Sequence, residues 1–507
     1  MLAAITAVWV LVFARLVVWR QVRFGTPDHD LGIWDQAVWL LAHGESFDTI
    51  RGLHVFGFHA SPALYLYVPF YWLGAGPNLL NVSMAVSIGA GAVAVFRIAM
   101  HHLENEWQSV VLSLAFLTTY AGQWMIQETF HPEVMAITPL LFAYLAALEG
   151  RWRAFSAWLL LALMWKEDVA LVGIAMGLLL AYRGDRVVAG VVPAPRSRTM
   201  GLRAAGLCAL WFVIATRLFI PAFSPEGGFT DQLFGELGGS PTELAGNLVS
   251  EPELFANQLV ESEPRHYVRE LTTPYAFTPL LAPLTLLMGL PQTLINLLAQ
   301  YEFFWSTTVH YAALPLFAST VAAVEGIRRF RRPELRQALV ALVALCAVYT
   351  STAWGVSPLS PKYDDGHWLL EPHADQQLLE LAISLPDSDD AVSSYTWLVP
   401  QLTHRERIYT FPNPWLADNW GVHDENRHEP EVVDWLLVNP SSLSERDAAV
   451  LRVALDDPDR MLDRAAVAAL IEAEPGTDVR DAIDGIDERT WRVAVDQPQL
   501  LAVERVR

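Results

Sequence analysis

Lysine is nearly missing from this chain of 507 residues. Lys166 and Lys362 are its only lysines among 34 cationic residues, and arginine supplies the rest, which reads as genome bias and not as chemistry. Cations as a whole are scarce against 55 acidic residues, and the net charge of −21 excludes a partner such as nucleic acid, whose phosphates demand a basic surface. Cysteine is rarer still. Cys208 and Cys346 stand far apart in apolar stretches, which rules out thiolate metal-ligand spacing and leaves open whether they pair. No glycine-rich phosphate loop follows a strand, so nothing speaks for a nucleotide-sugar site. Residues 1–19 have neither a basic leader nor a small-residue cleavage site and read as a retained first span or signal anchor. No internal repeat or low-complexity tract stands out.

Long apolar runs are abundant. The chain is 53% hydrophobic with a mean hydropathy of +0.28, too apolar for one water-soluble fold. A span needs about 20 apolar residues, and the pattern predicts spans over 2–19, 77–98, 108–125, 133–149, 204–223, 276–298, 309–326 and 337–355. The stretch 154–182 is too long for one span and carries Lys166-Glu167-Asp168 at its middle, which predicts a helical hairpin turning at that tripeptide. The stretch 62–74 is too short to cross and reads as re-entrant or interfacial. With these segments the chain is expected to be an α-helical polytopic membrane protein of about 9–11 spans.

Arginine location orients such a bundle. Arg97, Arg151 and Arg153, the group from Arg183 to Arg203, and the group from Arg328 to Arg336 all fall between spans, which predicts that those loops are cytoplasmic. The first loop, 24–61, the second large loop, 224–275, and everything after about 356 are then outside. Arg15 is an exception inside the first span, where arginine can snorkel to an interface.

From about 356 the apolar runs shorten to strand length at Ala391–Tyr395, Arg407–Phe411 and Val433–Val438. Between and after them lie helix-like segments at 375–385, 444–455 and 460–472. This alternation predicts a small α/β domain over 356–507, after a membrane domain over 1–355.

Four polar groups interrupt the apolar background, and ionisable groups at membrane depth cost about 3 kcal/mol each by insertion scales. The first is Asp28-His29-Asp30 with Asp35. The D-x-D spacing can hold a divalent cation through oxygen ligands, Mg or Mn. Asp30 is also suited to cap a helix over 31–42, whereas Asp35 lies among apolar neighbours and has no such structural excuse. His54 and His59 follow in the same loop as ligand or donor candidates, or as interfacial polar residues. The second group is Glu128-x-x-His131-Pro-Glu133. Pro132 fits the first position of the next helix, Glu133 then complements the helix dipole, and His131 is left to face a cavity. In the third, Lys166, Glu167 and Asp168 form either an ion-paired turn or, through the Lys166 point charge, a phosphate anchor. His310 and Tyr311, the fourth, open a span after the aromatic loop Tyr301–Trp305. All four groups fall on the outer face of the arginine-based topology. They are expected to line one outward cavity, and no metal ligand set is fixed.

At these residues the chain resembles a known family. Asp30-Leu-Gly-Ile-Trp-Asp35-Gln-Ala-Val-Trp39 is similar to the opening signature of the DUF2079 family of predicted prokaryotic membrane proteins. Phe130-His-Pro-Glu133, Trp165-Lys-Glu-Asp168, His310-Tyr-Ala-Ala and the tail segments 391–395, 401–405 and 409–413 match its later blocks in order. That family is grouped with the GT-C glycosyltransferases, polytopic enzymes with an acidic catalytic residue in the first outer loop and, often, an extracytoplasmic C-terminal domain. The resemblance places family aspartates on Asp30 and Asp35. His59 matches a family histidine that is usually preceded by Asp, where this chain has Phe58. It implies an integral membrane glycosyltransferase moving a sugar from a polyprenyl-phosphate donor to an envelope acceptor. Asp30 or Asp35 is the expected base, and His59, Glu128, His131, Glu133, Lys166, Glu167, Asp168, His310 and Tyr311 are the expected substrate-binding residues. The expected partners are membrane lipid and the lipid-linked donor. A transporter or flippase using the same groups as an ionisable pathway, or a non-catalytic envelope assembly protein, are the alternatives.

Overall fold

The computed structural model describes residues 1–184, 194–224, 233–372, 375–416, 418–419, 422–423, 432–440, 455, 461–462, 464–471 and 491–506. Among the described residues, six helices are long and apolar enough to cross a membrane: Leu2–Val22, Pro77–Leu103, Glu106–Glu128, Ser197–Phe223, Glu302–Arg328 and Pro333–Ala353. Four shorter apolar helices accompany them at Pro132–Leu148, Trp152–Leu163, Val169–Arg183 and Pro283–Leu298. The hairpin predicted over 154–182 is present, with residues 164–168 joining Trp152–Leu163 to Val169–Arg183. The span predicted over 276–298 is shorter than expected: a separate 3-10 turn, Thr278–Leu281, precedes the helix Pro283–Leu298, which itself tightens to 3-10 at Leu287–Gly289. Pro279, Pro283 and Pro291 each deny the backbone a donor there. The 62–74 stretch likewise forms a short turn and the four-residue helix Val68–Tyr71.

The chain divides into two compact units that do not follow the expected break at 355/356. The first comprises residues 1–18, 59–63 and 80–368, and the second residues 19–58, 64–79 and 369–507. Most of the 24–61 loop thus belongs with the C-terminal residues.

In the first unit, helices approach closely where side chains are small, as they do in lipid. A Cβ added at Gly177 would stand 2.6 Å from the Ala205 nitrogen and the Gly201 oxygen, and one at Gly201 would stand 2.5 Å from the Gly177 oxygen. Cys208 packs on Gly173 in the same seam, and both cysteines are free thiols. Arg183 is not a loop cation as its sequence position implied. It is buried in a network with Glu325, at 2.6 Å, Thr285, at 2.9 Å, and the Tyr144 hydroxyl, at 2.8 Å.

In the second unit a six-stranded mixed sheet runs in the order Ile408–Thr410, Val392–Ser394, Trp435–Val438, Leu500–Arg505, Trp491–Gln497, Met461–Leu462. Its first three strands are parallel and the rest antiparallel. Trp435–Val438 is buried on both faces, which is why it reads as a continuous apolar run. Leu436 and Val438 enter one core with Val467, Leu470 and Trp491. Trp435 and Leu437 enter the other with Phe24, Ile33 and Ile50 of the first loop. The loop therefore supplies the apolar cover of one sheet face. The strands predicted around 392, 408 and 435 and the helices at Gln376–Ser384 and Arg464–Ile471 are present. Most of the predicted 444–455 helix lies outside the described residues. The hairpin Trp491–Gln497/Leu500–Arg505 was not anticipated.

Candidate active site

Nine of the eleven predicted site residues fall in the first unit and gather into two linked groups. Pro132 opens the Pro132–Leu148 helix, placing His131 just before its start and Glu133 in its first turn, as the Glu-x-x-His-Pro-Glu pattern predicts. Glu128 ends the preceding helix. Between them Thr129 has φ 147°, a conformation that costs a non-glycine residue about 1–3 kcal/mol and turns the chain so that Glu128 and His131 face common ground. The His131 Nδ1–H donates to the Thr129 carbonyl at 3.0 Å.

His310 arrives from the turn that begins the Ala313–Arg328 helix. Its backbone N–H donates to Glu128 Oε2 at 2.8 Å, and its Nδ1 lies 3.0 Å from Glu128 Oε1. The His131 and His310 rings stack with centroids 3.5 Å apart at 15°. Two stacked imidazolium cations would repel, so the stack is stable with at least one ring neutral. His310 Nε2 lies 3.6 Å from Glu133 Oε1, and that oxygen takes a 2.7 Å bond from the buried Lys166 ammonium. Lys166 also faces Asp168 at 3.6 Å and the Tyr311 ring at 5.7 Å. Lys166 is therefore ion-paired in this structure, as a charged turn would have it.

The second group centres on Glu167. Its carboxylate accepts the Ala60 N–H at 3.0 Å and contacts His59 Nδ1 at 2.8 Å. Ser61 Oγ and the Ala63 N–H donate to the Trp165 and Met164 carbonyls. Glu167 thus ties the 164–168 linker to residues 59–63.

Asp30 and Asp35 belong to the second unit. The helix expected over 31–42 begins at Ile33, after a π-helical turn at Asp28–Gly32. Asp30 lies inside that turn with φ 63° and does not cap the helix; its side chain is half-buried. Asp35 is fully buried. Its two carboxylate oxygens accept the hydroxyls of Tyr71 and Thr403, and His404 Nε2 stands 3.3 Å from Oδ2. Asp28 accepts the hydroxyls of Thr396 and Thr410. The neighbouring Gln36 amide accepts the Thr49 and Ile50 N–H groups and donates to the carbonyls of Arg405 and Glu406. Sequence reasoning missed Tyr71, Thr403 and His404 as partners of Asp35. The signal was at hand for two of them, because Thr403-His404 stands in the tail motif Gln401-Leu-Thr-His-Arg405.

The family described as "Predicted membrane protein (DUF2079)" matches residues 20–455. No curated protein matches the chain. Among solved structures, the chain is similar to ArnT from Cupriavidus metallidurans bound to undecaprenyl phosphate. Identity is 11% and the TM-score 0.53, over 98% of this chain and 97% of that one.

Proposed function

The chain belongs to the DUF2079 family of predicted membrane proteins and has a GT-C-like fold, and from this premise we propose that it is a membrane glycosyltransferase. The donor is a sugar on a polyprenyl phosphate or pyrophosphate, and the acceptor is a hydroxyl of an envelope component. The reaction takes place on the extracytoplasmic face, where the arginine distribution would put the second unit.

The observation that carries the reading is the concentration of ionisable side chains around helix ends and the 164–168 turn, with His131, Glu133, Lys166 and His310 buried and Glu128 half-buried. Groups this costly to bury are retained for binding or chemistry more often than for packing. The structural neighbour, itself bound to undecaprenyl phosphate, supports a lipid phosphate as the ligand class.

We place the general base at Asp30. A base must reach the acceptor hydroxyl. Asp35 is sealed, with both oxygens taken by hydroxyl donors, and acts as a positioning residue. Asp30 is part-exposed on a strained backbone. Taken by itself, the first unit offers Lys166 as a point charge for a lipid phosphate, which would replace Glu133 as its partner on binding.

The test is transfer in proteoliposomes from a panel of labelled polyprenyl-linked sugars. Asp30→Asn is expected to abolish turnover while donor binding and folding persist. Turnover equal to wild type in Asp30→Asn would end the assignment.

A further inference from the structure

We propose that Glu128, His131 and His310 form a binding site for one transition-metal cation of the zinc class. The three residues each offer a ligand atom, and these atoms lie within 4.8 Å of one another.

The spacing fits a shared ion. Ligands about 2.05 Å from a tetrahedral metal stand about 3.3 Å apart. Glu128 Oε1 and His310 Nδ1 are 3.0 Å apart, so an ion can take the place of the proton between them. The His131 ring stacks 3.5 Å from that of His310 and must tilt to turn its lone pair onto the same point.

The supporting groups fix which nitrogens ligate. A carbonyl oxygen can only accept, so the contact between His131 Nδ1 and the Thr129 carbonyl puts the ring proton on Nδ1 and leaves Nε2 as the ligand. With His310 ligating through Nδ1, its Nε2–H points to Glu133, 3.6 Å away, and Glu133 is held by Lys166 at 2.7 Å. Metal-bound histidines are generally oriented in this way, through a carboxylate or carbonyl on the other ring nitrogen. Here the Thr129 carbonyl support is already made, and Glu133, at 3.6 Å, must close by a few tenths of an ångström.

The donor set selects the metal. Two imidazole nitrogens and one carboxylate suit zinc and its neighbours, whereas magnesium takes oxygens and keeps its waters. Three protein ligands leave a fourth position for an oxygen ligand. That oxygen is water or, on the transferase reading above, a phosphate oxygen of the donor.

Metal content tests the site without any turnover, so its outcome is separable from that of the transferase reading. The full chain, purified in detergent without chelator, is assayed by elemental analysis. It is then stripped and titrated with Co2+, following the visible absorption of the bound ion. About one zinc-class ion per chain is expected, with Co2+ rebinding that 10 mM Mg2+ does not displace. His131→Gln and His310→Gln should each weaken Co2+ binding at least 100-fold, and Glu133→Gln about 10-fold through the lost support. Should a variant fail to fold, a rise in wild-type melting temperature with added Zn2+ but not Mg2+ carries the same evidence. Wild-type protein with no stoichiometric metal and no Co2+ spectrum would overturn the proposal, as would displacement of Co2+ by Mg2+.

Discussion

Lys166→Met removes the ammonium but keeps most of the aliphatic stem. It leaves the Glu133 carboxylate buried, with the His310 ring nitrogen Nε2 at 3.6 Å and no ammonium beside it. Stranding one member of a buried pair costs about 3–5 kcal/mol, because the survivor has lost both water and its counter-charge. The reverse change, Glu133→Gln, costs less, because Lys166 still faces Asp168 at 3.6 Å. The double variant removes both charges and should recover most of the loss, coming to within about 2 kcal/mol of wild type. The measurement is a double-mutant cycle on reversible unfolding in mixed micelles. A coupling energy of about 2 kcal/mol or more is expected. If the two single losses add to within about 0.5 kcal/mol, the 2.7 Å contact is not an energetic pair and the account of the cluster built on it is wrong.

Three further outcomes follow from the same structure. Asp35→Asn keeps one acceptor oxygen but leaves the second buried hydroxyl proton without its acceptor, and should destabilise the second unit by about 1–3 kcal/mol; an unchanged denaturation midpoint would contradict a closed network around it. Burial pushes the Asp48 carboxyl up to about 7, against the opposing pull of the Arg51 and Ile50 amides and the Arg51 charge. The folded state then holds a proton that the unfolded chain releases near 3.8. The Asp48 contribution to stability is fully present below pH 3.8 and is lost as pH rises towards 7. The difference in melting temperature between wild type and Asp48→Asn should change across that window and stay flat above it, and a difference constant from pH 4 to 7 would refute the shift. Gly201→Leu puts a side chain where the Gly177 backbone already stands, and should abolish monodisperse elution of the detergent-solubilised protein; normal elution would mean that the two helices can part cheaply.

Membrane class, the hairpin turning at Lys166-Glu167-Asp168, the helix start at Pro132 and the strands around 392, 408 and 435, though not their parallel pairing, were legible in the sequence, because each rests on local chemistry. A 20-residue apolar run, a proline at a helix start or a short β-branched run states its own conformation. The polar groups at Glu128–Glu133, 166–168 and 310–311 were also legible, since a charge among apolar residues is visible without any fold. Pairings between distant residues were not. Glu128 meeting His310, Lys166 choosing Glu133, Thr403 reaching Asp35 and Arg183 finding Glu325 depend on which helix ends and loops the fold brings together. No periodicity encodes that. The 24–61 loop is the clearest case. Nothing in the sequence assigns Phe24, Ile33 and Ile50 a partner, and only the tertiary structure gave them a sheet face to cover. Sequence determined where the chain is apolar and where it is charged; folding decided which charge neutralises which, because burial enforces a pairing that chain order does not carry.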